Sequence, residues 1–129
     1  MTETPKHSHR QRLVIGISGA SGAWIGIRLL EACRALDVET HLVISKAGEI
    51  TIAQETSYSV SDVKALASQA HKSVDIGAAI ASGSFPTMGM IVAPCSIRSM
   101  SEIATGVTSS LLTRAADVTL KERRKLILA

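Results

Sequence analysis

Apolar positions along this chain follow two rhythms. Leu13-Val14-Ile15-Gly16-Ile17 is apolar at every position and stops at Ser18-Gly19-Ala20-Ser21-Gly22. An unbroken apolar run of that length predicts a strand covered on both faces and ended by a tight turn. From Ala23 to Leu36 the apolar side chains Ile25, Leu29, Leu30, Cys33 and Leu36 recur at three- and four-residue steps, which predicts a helix. Val38 to Ile44 reads as a second strand, halted by Ser45-Lys46. Ala47–Gln54 and Ser61–Gln69 read as helices, the latter with Ser61 as a candidate cap. Ala78–Ala81 reads as a short strand before Ser82-Gly83-Ser84-Phe85-Pro86, and Met88 to Ala93 as another before Pro94-Cys95-Ser96. Helices are expected over Ile97–Ala104 and Leu111–Arg123, on either side of Gly106, and Leu126–Ala129 opens a further apolar run.

Strands thus alternate with helices, and several strands are apolar throughout. Such strands lie in a parallel sheet with helices on both faces. The expected fold is α/β, a doubly wound Rossmann-like sheet in three αβα layers. Residues 1–11 are polar and contain Pro5 and an isolated His7-x-His9 pair. They read as a disordered leader to a domain over 12–129, and no third ligand stands near the two histidines to complete a metal site.

Composition narrows the function classes. Apolar residues make up 46% of the 129 positions and charged ones 19%, which excludes intrinsic disorder. The longest uncharged run, Ile76 to Ile97, carries three Gly and two Pro and is too broken for a membrane span. Cys33 and Cys95 are too few to staple a secreted scaffold, so a reducing, cytoplasmic setting is expected. The net charge of +3 comes from the ends, from Lys6, Arg10 and Arg12 and from Arg114, Lys121, Arg123, Arg124 and Lys125. With three aromatic residues there is no stacking platform for bases, and nucleic acid is not an expected partner.

Ligands of open parallel sheets sit beyond the carboxyl ends of the strands, near the point where strand order reverses. The small and hydroxyl residues collect at those ends: Ser18–Gly22, Ser45-Lys46, Ser82-Gly83-Ser84 and Ser96-Ile97-Arg98-Ser99. Small residues admit a ligand close to the backbone, hydroxyls donate hydrogen bonds, and helix N-termini favour phosphate. Four such loops predict a pocket for a phosphorylated ligand, although any one of them is also an ordinary turn. Ser18 replaces the second glycine of the dinucleotide fingerprint, and the second strand ends in Ser45-Lys46 without the ribose-binding acid. A mononucleotide fits better than NAD. There is no Walker-type loop, and Gly19-Ala20-Ser21-Gly22-Ala23 lacks the last glycine of a nucleophile elbow. Cys95 has no evident base and reads as a packed residue, as does Cys33; His41 is expected against the sheet covering and His71 in a loop.

Gly16 to Ala23 with Gly26-x-Arg28-Leu29-Leu30 resembles the opening of the UbiX/Pad1 flavin prenyltransferases. Glu39 to Lys46, Ile80 to Phe85, Pro94 to Ser99, Leu111 to Val118 and Lys121 to Arg124 continue the resemblance in order over residues 12–129. The resemblance implies an FMN-binding Rossmann-like domain that attaches a dimethylallyl group, taken from dimethylallyl phosphate, to reduced FMN. It implies that the product, prenylated FMN, serves a UbiD-type decarboxylase. It also implies a homo-oligomer, commonly a dodecamer, with active sites between subunits. By matching motifs, Gly19, Ala20, Ser21, Ser45, Ser96, Ile97, Arg98 and Ser99 are expected to hold FMN. Ser21 and Lys121 are the expected catalytic residues, and Arg114 and Lys121 are expected at the substrate phosphate. Preplaced cations there would stabilise the charge that develops on a leaving phosphate. Arg123 to Lys125 are expected at the surface or in subunit contacts.

The family's sequences continue past this endpoint through an Arg-Glu pair and a substrate-binding Tyr and basic residue. The expectation is therefore of an incomplete domain, ending in an apolar strand with a free edge. Two readings follow: a flavin prenyltransferase by family, or a catalytically incomplete FMN-binding remnant of one. A flavin-dependent decarboxylase of related fold is a weaker third, because Pro94-Cys95-Ser96-Ile97 stands where a Pro-x-Met-Asn signature would be.

Overall fold

A computed structural model describes residues 10–129; residues 1–9, with the His7-x-His9 pair and most of the expected leader, lie outside the described residues. Five strands form one parallel sheet: β1 (Arg12–Ile17), β2 (Glu39–Ile44), β3 (Gln69–His71), β4 (Gly89–Val92) and β5 (Lys125–Leu128). Their spatial order is β3-β2-β1-β4-β5, so the chain winds outward from β1 in one direction and then in the other. The helices are α1 (Ala23–Ala35), α2 (Lys46–Glu55), α3 (Val60–Leu66), α4 (Ile97–Thr105) and α5 (Leu111–Lys121). The Glu39 amide donates to the Gln11 carbonyl at 2.9 Å, so the β1–β2 pairing already engages a residue expected in the leader.

Alternation along β1 sorts the core into two layers. Leu13, Ile15 and Ile17 face α1, α2 and α3, packing with Leu30, Leu42, Ile44, Ile52 and Val63. Val14 faces the other way with Val43, Met90 and Val92, against Leu111, Leu112, Ala115 and Ala116 of α5. These strands are apolar at every position because both faces are covered. No helix among the described residues is long and apolar enough to cross a membrane.

Several expectations change in detail. The buried face of α1 is Ala23, Gly26, Ile27, Leu30 and Cys33, whereas Ile25 and Leu36 are exposed. Close packing of small residues, not side-chain hydropathy, chooses the face. Ser59, not Ser61, caps α3, because Asp62 stands three positions on and completes a reciprocal box with it. Gln69 belongs to β3 instead of the helix. The expected strand over Ala78–Ala81 is a single 3-10 turn at Ala79–Ala81. Alanine has little strand preference, and only Ile80 of that segment is buried.

His71 also departs from expectation: it ends β3 and is buried. Its Nε2 lies 3.0 Å from Nδ1 of buried His41, whose Nε2 lies 2.7 Å from Glu39 Oε2. Arg12 Nε donates to the same oxygen at 3.1 Å, and the Arg12 guanidinium stacks 4.4 Å from the Phe85 ring. The hydrogen bond from His41, opposed by burial and aided by Arg12, holds the Glu39 carboxyl below its usual range. An ionised Glu39 makes His41 Nε2 the donor, so His41 Nδ1 accepts from His71 Nε2. The pair is satisfied when both rings are neutral.

Burial, then His41, pushes the His71 imidazole below its ordinary value, while Asp75 pulls it up. The unfolded chain then takes up the proton first as pH falls, so this contribution is complete above the ordinary histidine value of 6.5 and drains below it. Urea midpoints of the chain should fall as pH drops from 7.5 towards 5, and His71→Gln should flatten the slope. An unchanged slope in the variant would exclude His71 as the source.

Candidate functional site

The order of strands reverses between β1 and β4, and their carboxyl ends open the crevice where such sheets take ligands. The loop after β1 runs from Ser18 to Gly22, and Gly22 adopts φ 100° at the start of α1. The loop after β4 runs through Pro94 to Ser96, the cap of α4, and Ser45 caps α2 beside them. Three helices therefore start at this edge, with their amide ends turned to one side of the sheet.

These loops touch backbone to backbone. A Cβ on Gly26 would run into the Ala93 carbonyl and lie 2.8 Å from the Ile17 side chain; one on Gly48 would lie 2.5 Å from the Ile17 carbonyl. A Cβ on Gly19 would run into that of Ala47. Ser18, buried to 1% exposure, bridges the two sides. Its hydroxyl donates to the Pro94 carbonyl at 2.9 Å and accepts from the Ser96 amide at 2.7 Å.

The hydroxyls on the rim have defined polarity. Ser45 Oγ accepts from the Gly48 amide at 3.0 Å, which leaves its own proton to donate. Ser96 Oγ accepts from the Ser99 amide at 3.1 Å and donates to Ser99 Oγ at 3.0 Å. The free proton at that end is the one on Ser99. Exposed Ser21 and half-buried Gly19 and Ala20 line the β1 side. Such a set, the free protons of Ser45 and Ser99 beside the N-termini of α2 and α4, suits phosphate and carbonyl oxygens.

Glu55 at the end of α2 was not among the expected residues. Its Oε1 accepts from the Gly22 amide at 3.0 Å and the Ala23 amide at 3.3 Å, so a carboxylate sits on the start of α1. The signal in the sequence is an acid in the last turn of a helix, where the dipole disfavours negative charge unless another contact compensates. Exposed Trp24 and Tyr58 flank it, and with Ile27, Arg28, Thr56 and Ser57 they line a cavity of about 240 Å³.

Not every expected residue converges. Ser82-Gly83-Ser84 lies at the opposite edge of the sheet: Arg124, just before β5, donates to the Gly83 carbonyl at 2.8 Å and the Phe85 carbonyl at 3.1 Å. Three loops meet at the crevice, not four, because the segment after β3 descends to begin β4. Arg124 is a half-buried clamp on that segment, not a free surface residue. Arg114 is exposed one turn into α5, whose first amide donates to the Ser73 carbonyl beyond β3. Lys121 ends α5 near the start of β5 and pairs with Asp117 at 3.0 Å. Lys125 registers with Gly89, the first residue of β4, so Lys121 and Ser21 stand at opposite edges of one chain. Cys33 is buried as expected; Cys95 is half-buried, and burial pushes its thiol up, away from the reactive thiolate. Among the described residues no three His, Cys, Asp or Glu side chains gather as metal ligands.

Sheet order, helices on both faces and a crevice at the reversal define a Rossmann-like α/β protein. The family model described as Flavoprotein matches residues 1–129. The flavin prenyltransferase UbiX of Thauera aromatica is 58% identical over 117 residues, which cover 91% of this chain and 60% of that protein. The mitochondrial flavin prenyltransferase PAD1 of Saccharomyces cerevisiae is 52% identical over 118 residues, 92% of this chain and 49% of the relative. Among solved structures, AnUbiX (PadA1) in complex with FMN and dimethylallyl pyrophosphate superposes with TM-score 0.91 at 50% identity, covering 92% of this chain and 63% of that one. A dodecameric FMN-dependent UbiX-like decarboxylase from Escherichia coli O157:H7 gives TM-score 0.91 at 51% identity, covering 92% and 66%. The chain belongs to the UbiX/Pad1 flavin prenyltransferase family of flavoproteins, and it spans about 60% of the length of the bacterial relative from Thauera.

The close approach at Gly26 has a measurable cost. Gly26→Ala should destabilise the fold by roughly 2 kcal/mol in urea denaturation, although alanine is the better helix former by about 1 kcal/mol. A neutral or stabilising result would mean that α1 can draw back from the Ala93 carbonyl.

Proposed function

We propose that this chain carries the flavin-binding part of a flavin prenyltransferase, which transfers a dimethylallyl group from dimethylallyl phosphate to reduced FMN. The supporting observation is the crevice between β1 and β4, in a chain 50% identical to a protein solved with FMN and dimethylallyl pyrophosphate. Gly19, Ala20 and Ser21 would lie along the flavin, and Ser45 and Ser96 to Ser99 would hold its polar edge and phosphate. The donors there match an oxygen-rich ligand. Reduced FMN supplies the nucleophilic nitrogen that accepts the allyl carbon. The carbon–oxygen bond of the allylic ester would break, with phosphate leaving with the electron pair. Arg114 and Lys121 would stabilise the charge gathering on that phosphate.

Because Lys121 lies at the far edge from Ser21, a second copy of the chain would have to supply one of them. Ile97 (79% exposed), Trp24 (60%) and Leu120 (50%) are large apolar side chains at the surface, which supports assembly between copies. Transfer of the product to a UbiD-type decarboxylase completes the reading, and the two free cysteines support a reducing, cytoplasmic setting.

The separation of Lys121 from Ser21 also favours a second reading, an FMN-binding remnant that no longer catalyses transfer. Incubating the 129-residue chain with reduced FMN and dimethylallyl phosphate, without oxygen, separates the two. Mass spectrometry should show prenylated flavin, and Lys121→Ala should lower its yield at least tenfold while FMN remains bound. Bound but unmodified FMN supports the remnant. No flavin binding at all overturns both readings.

A further inference from the structure

We propose that Ser18 is a positioning residue of this site: its hydroxyl fixes the β4 loop against the β1 loop and thereby presents Ser99 as a hydrogen-bond donor to the ligand. The proposal rests on the flavin reading for the identity of the ligand, and on geometry alone for the tie.

Ser18 touches no open space, so its role cannot be direct contact. Three hydrogen bonds join it to the other loop. Its amide donates to the Pro94 carbonyl at 3.1 Å, its hydroxyl donates to the same oxygen at 2.9 Å, and its Oγ accepts from the Ser96 amide at 2.7 Å. The hydroxyl has spent its proton on Pro94, so towards Ser96 it is an acceptor only. That sets the height of Ser96 above the sheet, and Ser96 is the residue that caps α4.

From Ser96 the polarity runs outward in one sense. Ser96 Oγ takes the Ser99 amide proton and gives its own to Ser99 Oγ. Ser99 Oγ thereby accepts from a neighbour and keeps its own proton free to donate. A chain of three hydroxyl residues begins at the buried Pro94 carbonyl and ends at Ser99, whose proton has no partner among the described residues. A ligand with acceptor oxygens matches that end.

An alanine at 18 removes two side-chain bonds and leaves the Ser96 amide without its partner in a half-buried position. Orphaning such a group weakens the local structure, and a site that depends on it loses affinity by about ten- to a hundredfold. Threonine keeps the hydroxyl. Isothermal titration of FMN into the 129-residue chain should therefore show tenfold or greater weakening for Ser18→Ala and recovery to within about threefold for Ser18→Thr. Amide exchange followed by NMR, without flavin, provides the second measurement. The Ser96 and Ser99 amides should exchange faster in Ser18→Ala while Leu42 and Val43, deep in β2, keep their protection. Ser99→Ala should weaken FMN binding and leave the Ser96 amide protected.

Unchanged exchange at Ser96 and Ser99 in Ser18→Ala overturns the proposal, as does FMN affinity within twofold of the parent. A parent chain that binds no FMN removes the flavin reading but not the tie, which the exchange rates still decide. If Ser18→Ala speeds exchange at Leu42 and Val43 equally, Ser18 supports the whole fold and not the site, and the proposal fails.

Discussion

The carbonyls of Ala93 and Ile17 occupy positions that side chains would fill if Gly26 and Gly48 were any other residue. Helices α1 and α2 consequently lie against the ends of β1 and β4 at backbone distance. Everything at the carboxyl edge follows from that closeness. Ser18 can reach across to Pro94 and Ser96, and three helix starts share one crevice. Larger residues would push the helices outward, and the same hydroxyls would then be too far apart to bond.

The opposite edge of the sheet is built on different physics. There the chain is held by charge and aromatic contacts: Glu39 between Arg12 and His41, His41 against His71 and Phe85, and Arg124 on two carbonyls of the descending segment. Glu39 and His71 of that network both sit below their ordinary values, so it couples stability to pH, whereas the hydroxyl network at the crevice carries no such groups.

The architecture was legible because strands covered on both faces announce themselves as unbroken apolar runs, as Leu13 to Ile17 and Met90 to Val92 do. What failed was local. Ala78–Ala81 has the hydropathy of a strand but not its shape preference, and three-residue β3 is too short and polar to read at all. The face of α1 was misjudged because Gly26 carries no hydropathy signal, yet it determines which side approaches the sheet. At the crevice, motif resemblance points to Ser45 and Ser96 to Ser99; Ser45 bonds to Ile17 and Ser96 to Ser18 at the end of β1, whereas Ile97 is exposed and Arg98 pairs with Glu102 along α4. Ser82 to Ser84 misled because a Ser-Gly turn looks the same at either edge of a sheet. Glu55 carries no motif signal and Ser18 reads only as the first residue of a turn, because each acts through a partner remote in sequence, at amides thirty or more positions away.

Ser21 and Lys121 stand at opposite edges of a single sheet, and no rotation of side chains brings them together. Under the proposed function, chemistry that needs both would draw them from different molecules, and turnover would become a property of encounter. Its rate would depend on the square of the chain concentration at high dilution and become proportional to it once assemblies are full. Under the same reading, ligand capture at the β1–β4 crevice of one chain would follow simple saturation throughout. Dilution would then separate two acts that a site contained within one chain would perform together.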